Sequence, residues 1–251
     1  MINMLSIAKN AAENAKRIAI SFINDPGILK DEFKDIKTLA DMRMNECVLE
    51  ELEPTQISII SEETEFQSSK IPSKCWIVDP LDGTFNFSRK YPCATISISL
   101  FLNKTPALGV VQDVFNDIIY TSLAKKGAYK NGEKMCVSNI STINNAILAT
   151  GFPSGASYDT NGLLDFVKNI QEFKKIRAIG SASMMLSHVA DGIFDVYYEK
   201  DIYLWDVAAG LSLVEEAGGQ FLLKKTTGDF KYEVLASNKN LFEQAKKLLI
   251  K

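Results

Sequence analysis

The chain has a single histidine, His188, in 251 residues. Any Ser-His-Asp or Cys-His machinery would have to be built on it, yet Ser187-His188-Val189-Ala190 lies in an apolar helical stretch where a packed helix residue is expected. Cysteine is sparse too. Cys47, Cys75, Cys93 and Cys136 form no C-x-x-C pair, which argues against a structural zinc site and reads as buried free thiols in a reducing compartment. No apolar run approaches the ~18 residues of a membrane span. The apolar start at Met1 to Ala8 meets Lys9, Glu13, Lys16 and Arg17 at once, the reverse of a secretory signal. A cytoplasmic protein with no membrane partner is expected. Excess positive charge is also missing: 28 Lys plus Arg stand against 31 Asp plus Glu, a formal net charge of −3. That balance argues against nucleic acid as the partner and favours a small molecule.

What is present is an ordinary globular composition, 46% hydrophobic and 24% charged. Apolar residues recur at helical steps from Leu5 to Phe22 and stop at Asp25-Pro26-Gly27. A second helix is predicted from near Asp41 to Leu52, a strand over 57–60, and a buried strand over 75–78. From Ala94 the chain alternates, with Ile96, Ile98 and Leu100 on one face and Thr95, Ser97 and Ser99 on the other. Strands are predicted at 107–113 and 117–123, with a turn at Asn131-Gly132. Beyond it, strands near 146–150, 176–179, 193–198, 219–223 and 233–236 alternate with helices near 160–172, 181–190, 205–217 and 239–250. The pattern is a layered α/β architecture. It divides into an N-terminal α+β lobe, 1–140, and a C-terminal α/β lobe, 141–251, closing a cleft.

The most informative segment is Trp76-Ile77-Val78-Asp79-Pro80-Leu81-Asp82-Gly83-Thr84-Phe85-Asn86-Phe87. A buried strand delivers Asp79, and Asp82 follows three residues later, so both carboxylates can face one pocket. Two convergent carboxylates suit Mg²⁺, which takes one or two such ligands plus water and phosphate oxygens. Gly83 relieves the turn, Thr84 opens a short helix, and their amides offer a phosphate cradle. A plain turn would use the same residue types. Glu62-Glu63 after a strand, Asp206 in Trp205-Asp206-Val207-Ala208, and the small-residue start Gly180-Ser181-Ala182 each read as a site or as ordinary surface and capping. Together they favour a site.

In this order along nearly the whole chain, these residues resemble the inositol monophosphatase family of Mg²⁺-dependent, lithium-sensitive phosphomonoesterases. The resemblance adds Gly109-Val110-Val111, Gly127 to Gly132 and Thr150-Gly151-Phe152-Pro153. It implies an αβαβα sandwich of the inositol monophosphatase/fructose-1,6-bisphosphatase type, usually a homodimer, with its main metal site in the first lobe. It also implies two to three Mg²⁺ per active site. Glu62, Asp79 and the Leu81 carbonyl match ligands of the first; Asp79, Asp82 and Asp206 match ligands of the second; Glu62 also matches a water-mediated hold on a third. Asp41, in Asp35-Ile36-Lys37-Thr38-Leu39-Ala40-Asp41, matches the acid that bonds the Thr84 hydroxyl. Glu62, Thr84 and Asp41 are thus the candidate catalytic set. Asp82, Gly83, Thr84, Gly180, Ala182 and Glu199 are the candidate substrate contacts, Glu199 through sugar hydroxyls from the end of a strand.

The implied reaction is hydrolysis of a sugar or polyol phosphate monoester, with inositol 1-phosphate first, by metal-activated water. Water activation falls to the first metal with Glu62 or with the Thr84–Asp41 pair; the second metal polarises the leaving oxygen. The rivals are fructose 1,6-bisphosphatase, histidinol phosphatase and 3′-phosphoadenosine 5′-phosphate phosphatase; Asn86-Phe87 leans away from the last. A catalytically silent interaction or RNA-associated protein is the rival from another class, and the complete acidic set argues against it. Tyr203 and Leu204 stand where animal members tend to carry His and Cys on the sugar side, which puts inositol preference in question.

Overall fold

The computed structural model describes residues 1–32, 35–64, 70–152 and 160–250, so Pro153 of the Thr150 motif lies outside the described residues. Helix α1 (Ile2–Phe22) buries a stripe of small residues, Ala8, Ala11, Ala12, Ala15 and Ala19. Side chains this short let it lie close on its neighbours. A hairpin follows that the sequence reading left without strands, β1 (Ile28–Glu32) and β2 (Asp35–Thr38). Mostly exposed on β1, it belongs to neither large sheet, so it has no buried face to impose a period on the sequence.

Helix α2 (Leu39–Leu52) starts two residues earlier than expected because Asp41 is its third residue, not its first. The Thr38 hydroxyl accepts the Asp41 N–H, and the Asp41 carboxylate accepts the Thr38 N–H, a reciprocal cap.

Strand β3 (Ser58–Ser61) runs parallel to β4 (Lys74–Asp82), and the five-residue helix α3 (Thr84–Ser88) follows at once. Strands β5 (Thr95–Leu102), β6 (Thr105–Asp113), β7 (Ile119–Leu123), β8 (Gly127–Lys130) and β9 (Glu133–Lys134) then meander antiparallel, completing a seven-stranded sheet in sequence order. The alternation of β5 does not separate core from solvent, because both faces are buried. Ile96, Ile98 and Leu100 pack towards α1 and α2. The small polar face lies beneath a helix from the second half, and Ser97 donates to the Trp205 carbonyl.

The second sheet is built from β10 (Ile147–Thr150), the helix α4 (Thr160–Ile170), β11 (Lys175–Arg177), α5 (Ala182–Ala190), β12 (Val196–Tyr203), α6 (Leu204–Glu216), β13 (Gln220–Lys225), β14 (Lys231–Ser237) and α7 (Phe242–Leu249). Its strand order is β11-β10-β12-β14-β13. Strand β12 is longer than predicted, running through a register break after Glu199 to Tyr203, so Glu199 lies within a strand and not at its end.

Three apolar clusters define the layers. One joins α1 and α2 to the first sheet; the largest joins that sheet to α5 and α6 and these to the second sheet; the third joins the second sheet to α4 and α7. The result is the αβαβα sandwich, with α5 and α6 sealed between two sheets. That sealing explains their almost uniformly apolar sequences. At the closest approach Gly109 is obligatory: a Cβ there would stand 2.4 Å from the Ala209 carbonyl oxygen. Of the four thiols, all free, only Cys75 and Cys93 are buried; Cys47 is half-buried and Cys136 exposed. Among the described residues no helix is long and apolar enough to cross a membrane.

Candidate active site

Strand β4 ends in a cleft of about 310 Å³ between the two sheets, lined by Glu62, Asp79, Leu81, Asp82, Gly83, Thr84, Gly180, Ala182, Glu199 and Asp206. Residues far apart in sequence therefore share one space. The chain bends out of the β4–β5 pairing between Asp79 and Asp82. Asp79 accepts the Leu81 N–H at 2.9 Å, which fixes the turn. Gly83 then takes φ +91°, and a Cβ on it would meet the carbonyl oxygens of Cys93 and Gly180 at 2.9 and 3.1 Å. Only glycine fits there.

Carboxylate oxygens of Glu62, Asp79 and Asp206 lie within 4.8 Å of one another. Glu62 is open to solvent along part of its side chain, but its carboxyl is enclosed and pushed up to about 8, first by burial and then by Glu63. Burial also holds Asp79 and Asp206 well above the usual carboxylate range, and neighbouring carboxylates add to it in both cases. Asp206 is an acid of the first turn of α6, as its spacing allowed, and it also faces the cluster. Crowded buried carboxylates repel one another unless a cation joins them or protons neutralise them. An all-oxygen donor set of this kind suits a hard divalent ion such as Mg²⁺.

Asp82 lines the same cleft but stands outside that trio. Its Oδ2 accepts the Ser181 hydroxyl at 2.7 Å, the Ser183 hydroxyl at 2.6 Å and the Ser183 N–H at 2.7 Å. Its Oδ1 faces only the Ala182 N–H, at 3.3 Å. The N–H of Ala182, a candidate substrate contact, is directed at Asp82. Thr84 donates to Asp41 Oδ1 at 2.8 Å and also approaches the Leu81 carbonyl at 3.0 Å. Burial raises Asp41 to about 6 against the opposing bonds from Thr38 and Thr84.

Glu199 is buried on β12, only 4% exposed, so it is no surface acid. Burial followed by the Asp82 charge raises it to about 8, and the neighbouring Tyr197 hydroxyl acts the other way. Gly151 makes room for it, since a Cβ there would lie 2.6 Å from Glu199 Oε1. Glu199 and Gly151 also border an adjoining cavity of about 690 Å³. Tyr203 and Leu204 do not line the cleft. Leu204 is fully buried, and Tyr203 stacks on Trp205 at 4.8 Å beneath the Lys231 ammonium. His188 packs edge-on against Phe194, away from the cleft.

Two features escaped the sequence reading. Asn86 donates to the carbonyls of Cys93, Ile179 and Gly180, tying the β4–β5 connection to the loop between β11 and α5. The serines around Asp82 were hidden as well, because a serine at a helix start reads as a cap. The available signal was Asn86 itself, an amide side chain in the short helix α3 directly after the Asp79–Gly83 turn.

Five layers with an acidic cleft at the end of a buried strand define a layered α/β protein with a candidate divalent-metal site. The chain belongs to the inositol monophosphatase family, whose model matches residues 3–249. It is 32% identical over 235 residues to inositol monophosphatase 1 of Bos taurus, covering 88% of this chain and 83% of the bovine protein. The same identity over 235 residues relates it to Nus factor SuhB of Salmonella typhimurium, covering 91% and 87%. Among solved structures, inositol monophosphatase from Anabaena superposes with a TM-score of 0.84 at 31% identity, covering 99% of this chain and 95% of that one. The family is metal-dependent, and the Glu62–Asp79–Asp206 cluster is an acidic group able to take a metal.

Proposed function

We propose that this protein is an Mg²⁺-dependent phosphatase of sugar or polyol phosphate monoesters, with inositol 1-phosphate as its first candidate substrate. The observation that carries the reading is the convergence of Glu62, Asp79 and Asp206 within 4.8 Å beside Asp82 and the Thr84–Asp41 pair. Glu62, Asp79, the Leu81 carbonyl, Asp82 and Asp206 would hold the ions. When bound, Mg²⁺ supplies acidification of water and neutralises charge on phosphate and leaving oxygens.

The protein's own groups do the rest. Gly83 and Thr84 border the space a phosphate would occupy. Thr84 takes a proton from the attacking water as it passes its own to Asp41, whose raised basicity suits that role. Glu199 hydrogen-bonds substrate hydroxyls and, when cations on the neighbouring acids restore its charge, repels a second phosphate, favouring monophosphates. Li⁺ sensitivity, a homodimer and a cytoplasmic setting belong to the same reading through the family resemblance.

Phosphate release measured with Mg²⁺ over inositol 1-phosphate, fructose 1,6-bisphosphate, histidinol phosphate and 3′-phosphoadenosine 5′-phosphate tests it. Inositol 1-phosphate is expected to give the highest kcat/KM, and Asp79→Asn to abolish turnover without unfolding the chain. A different winner reassigns the substrate. No hydrolysis of any of them favours the interaction role suggested by the name of the Salmonella relative.

A further inference from the structure

Three buried hydroxyls surround Asp82, and each has a single hydrogen to spend. Asp82 pairs across the sheet with Thr95, and the first turn of α5 brings Ser181 and Ser183 to the same carboxylate. All three hydroxyl residues are at most 1% exposed. Each hydroxyl has one hydrogen to donate and lone pairs to accept. Ser181 caps α5 by accepting the Met184 N–H at 3.3 Å and spends its hydrogen on Asp82 Oδ2. Ser183 spends its hydrogen on the same oxygen at 2.6 Å. Thr95 is in very close contact with the Ser183 hydroxyl and is the donor in that pair, since Ser183 has spent its hydrogen and the other oxygens near Thr95, Ser181 Oγ at 3.3 Å and Asp82 Oδ2 at 3.5 Å, are farther. The chain runs Thr95 to Ser183 to Asp82.

Oδ2 thus receives two hydroxyls and the Ser183 N–H, which fills its acceptor capacity. Oδ1 has only the longer bond from the Ala182 N–H, and it is the oxygen with lone-pair capacity to spare. Capping α5 requires neither the Ser183 hydroxyl nor Thr95, since Ser181 already does it. An Ala and a Val would fill the same space without introducing buried polar groups that need partners. The hydroxyls have a use only if the orientation of Asp82 matters.

We propose that Ser183, backed by Thr95, is a positioning residue that commits Asp82 Oδ2 to the protein and leaves Oδ1 as the single oxygen offered to a divalent cation in the cleft. This rests on the metal-dependent reading above. Without the Ser183 hydroxyl, Asp82 gains rotational freedom and a second competing oxygen, and the cation loses a preset ligand.

The test is a Mn²⁺ titration of the full chain, followed by the electron paramagnetic resonance signal of free Mn²⁺, alongside the Mg²⁺ concentration giving half-maximal phosphate release. Ser183→Ala is expected to weaken Mn²⁺ binding and raise that Mg²⁺ concentration, each by roughly tenfold, as loss of a group orienting a ligand does. Thr95→Val should move both in the same direction, and Thr95→Ser should restore Mn²⁺ affinity. Wild-type affinity in Ser183→Ala, even with a lowered melting temperature, overturns the proposal and leaves the hydroxyl a packing group. If Ser183→Ala does not fold, the Thr95 pair decides: equal Mn²⁺ affinity in Thr95→Val and Thr95→Ser overturns it. Asp79→Asn separates the two readings. Binding lost in Asp79→Asn but kept in Ser183→Ala removes only the role of Ser183, whereas a wild-type chain that binds no Mn²⁺ removes the metal reading and this inference together.

Discussion

Asp41 joins two elements through its two oxygens: Oδ1 accepts the Thr84 hydroxyl at 2.8 Å, while Oδ2 accepts the Thr38 N–H at 2.8 Å and the Thr38 hydroxyl at 2.5 Å. One carboxylate therefore caps α2 and faces the turn that carries Asp79 and Asp82. The cap holds Asp41 still, so the position of Thr84 inherits the rigidity of a helix.

If Thr84 orients the attacking water, its hydroxyl matters in the transition state and little in the ground state. Thr84→Ala is expected to lower kcat by about a hundredfold while KM changes less than about threefold, and Thr84→Ser to retain most of the rate. Steady-state kinetics under saturating Mg²⁺ decide it. A KM rise at unchanged kcat would make Thr84 a phosphate binder.

The acidic cleft also sets how stability depends on pH. Glu62 and Glu199 are raised from 4.5 to about 8 and Asp41 from 3.8 to about 6, with Asp79 and Asp206 raised as well. Between those ordinary and raised values the folded state binds more protons than the unfolded one, so stability falls as pH rises. In EDTA the melting temperature should drop by several degrees between about pH 5.5 and pH 8. Added Mg²⁺ should raise it more at pH 8 than at pH 5.5, because a cation replaces the missing protons. Calorimetric scans showing a flat pH dependence in EDTA would contradict this account of the cluster.

Glu199 provides the test of selectivity. Glu199→Gln should reduce kcat/KM for inositol 1-phosphate by about tenfold, the scale of one charge-assisted hydrogen bond. Turnover of p-nitrophenyl phosphate, which lacks those hydroxyls, should change less than about twofold. An equal fall on both substrates would place Glu199 in the catalytic apparatus; no fall on either would move the sugar site away from Glu199 and make fructose 1,6-bisphosphate the first alternative substrate.

Much of the fold was legible because it is periodic. The alanine stripe of α1, the apolar run before Asp79 and the apolar lengths of α5 and α6 each answer to a single burial constraint, and local pattern records such a constraint. The β1–β2 hairpin was missed because the mostly exposed β1 imposes no burial period, and β12 was cut short because a buried Glu199 breaks the expected apolar pattern. Tyr203 and Leu204 looked like sugar-side residues by their place before Trp205, but packing turned Leu204 into the core and laid the half-buried Tyr203 on Trp205.

The sequence by itself determined the chemistry available: six acids and a threonine in a recognisable order, one histidine, no paired thiols, and strands and helices of known period. Which acids stand together was decided only by tertiary structure. Glu62, Asp79 and Asp206 meet because β3 pairs with β4 and α6 crosses the same sheet, contacts that link residues more than a hundred positions apart. Asp82, though only three residues from Asp79, is drawn aside by Ser181 and Ser183 from α5. Spacing fixes which groups are near along the chain, whereas hydrogen-bond capacity and layer packing fix which oxygen faces the cleft. The second kind of information exists only once the layers have closed.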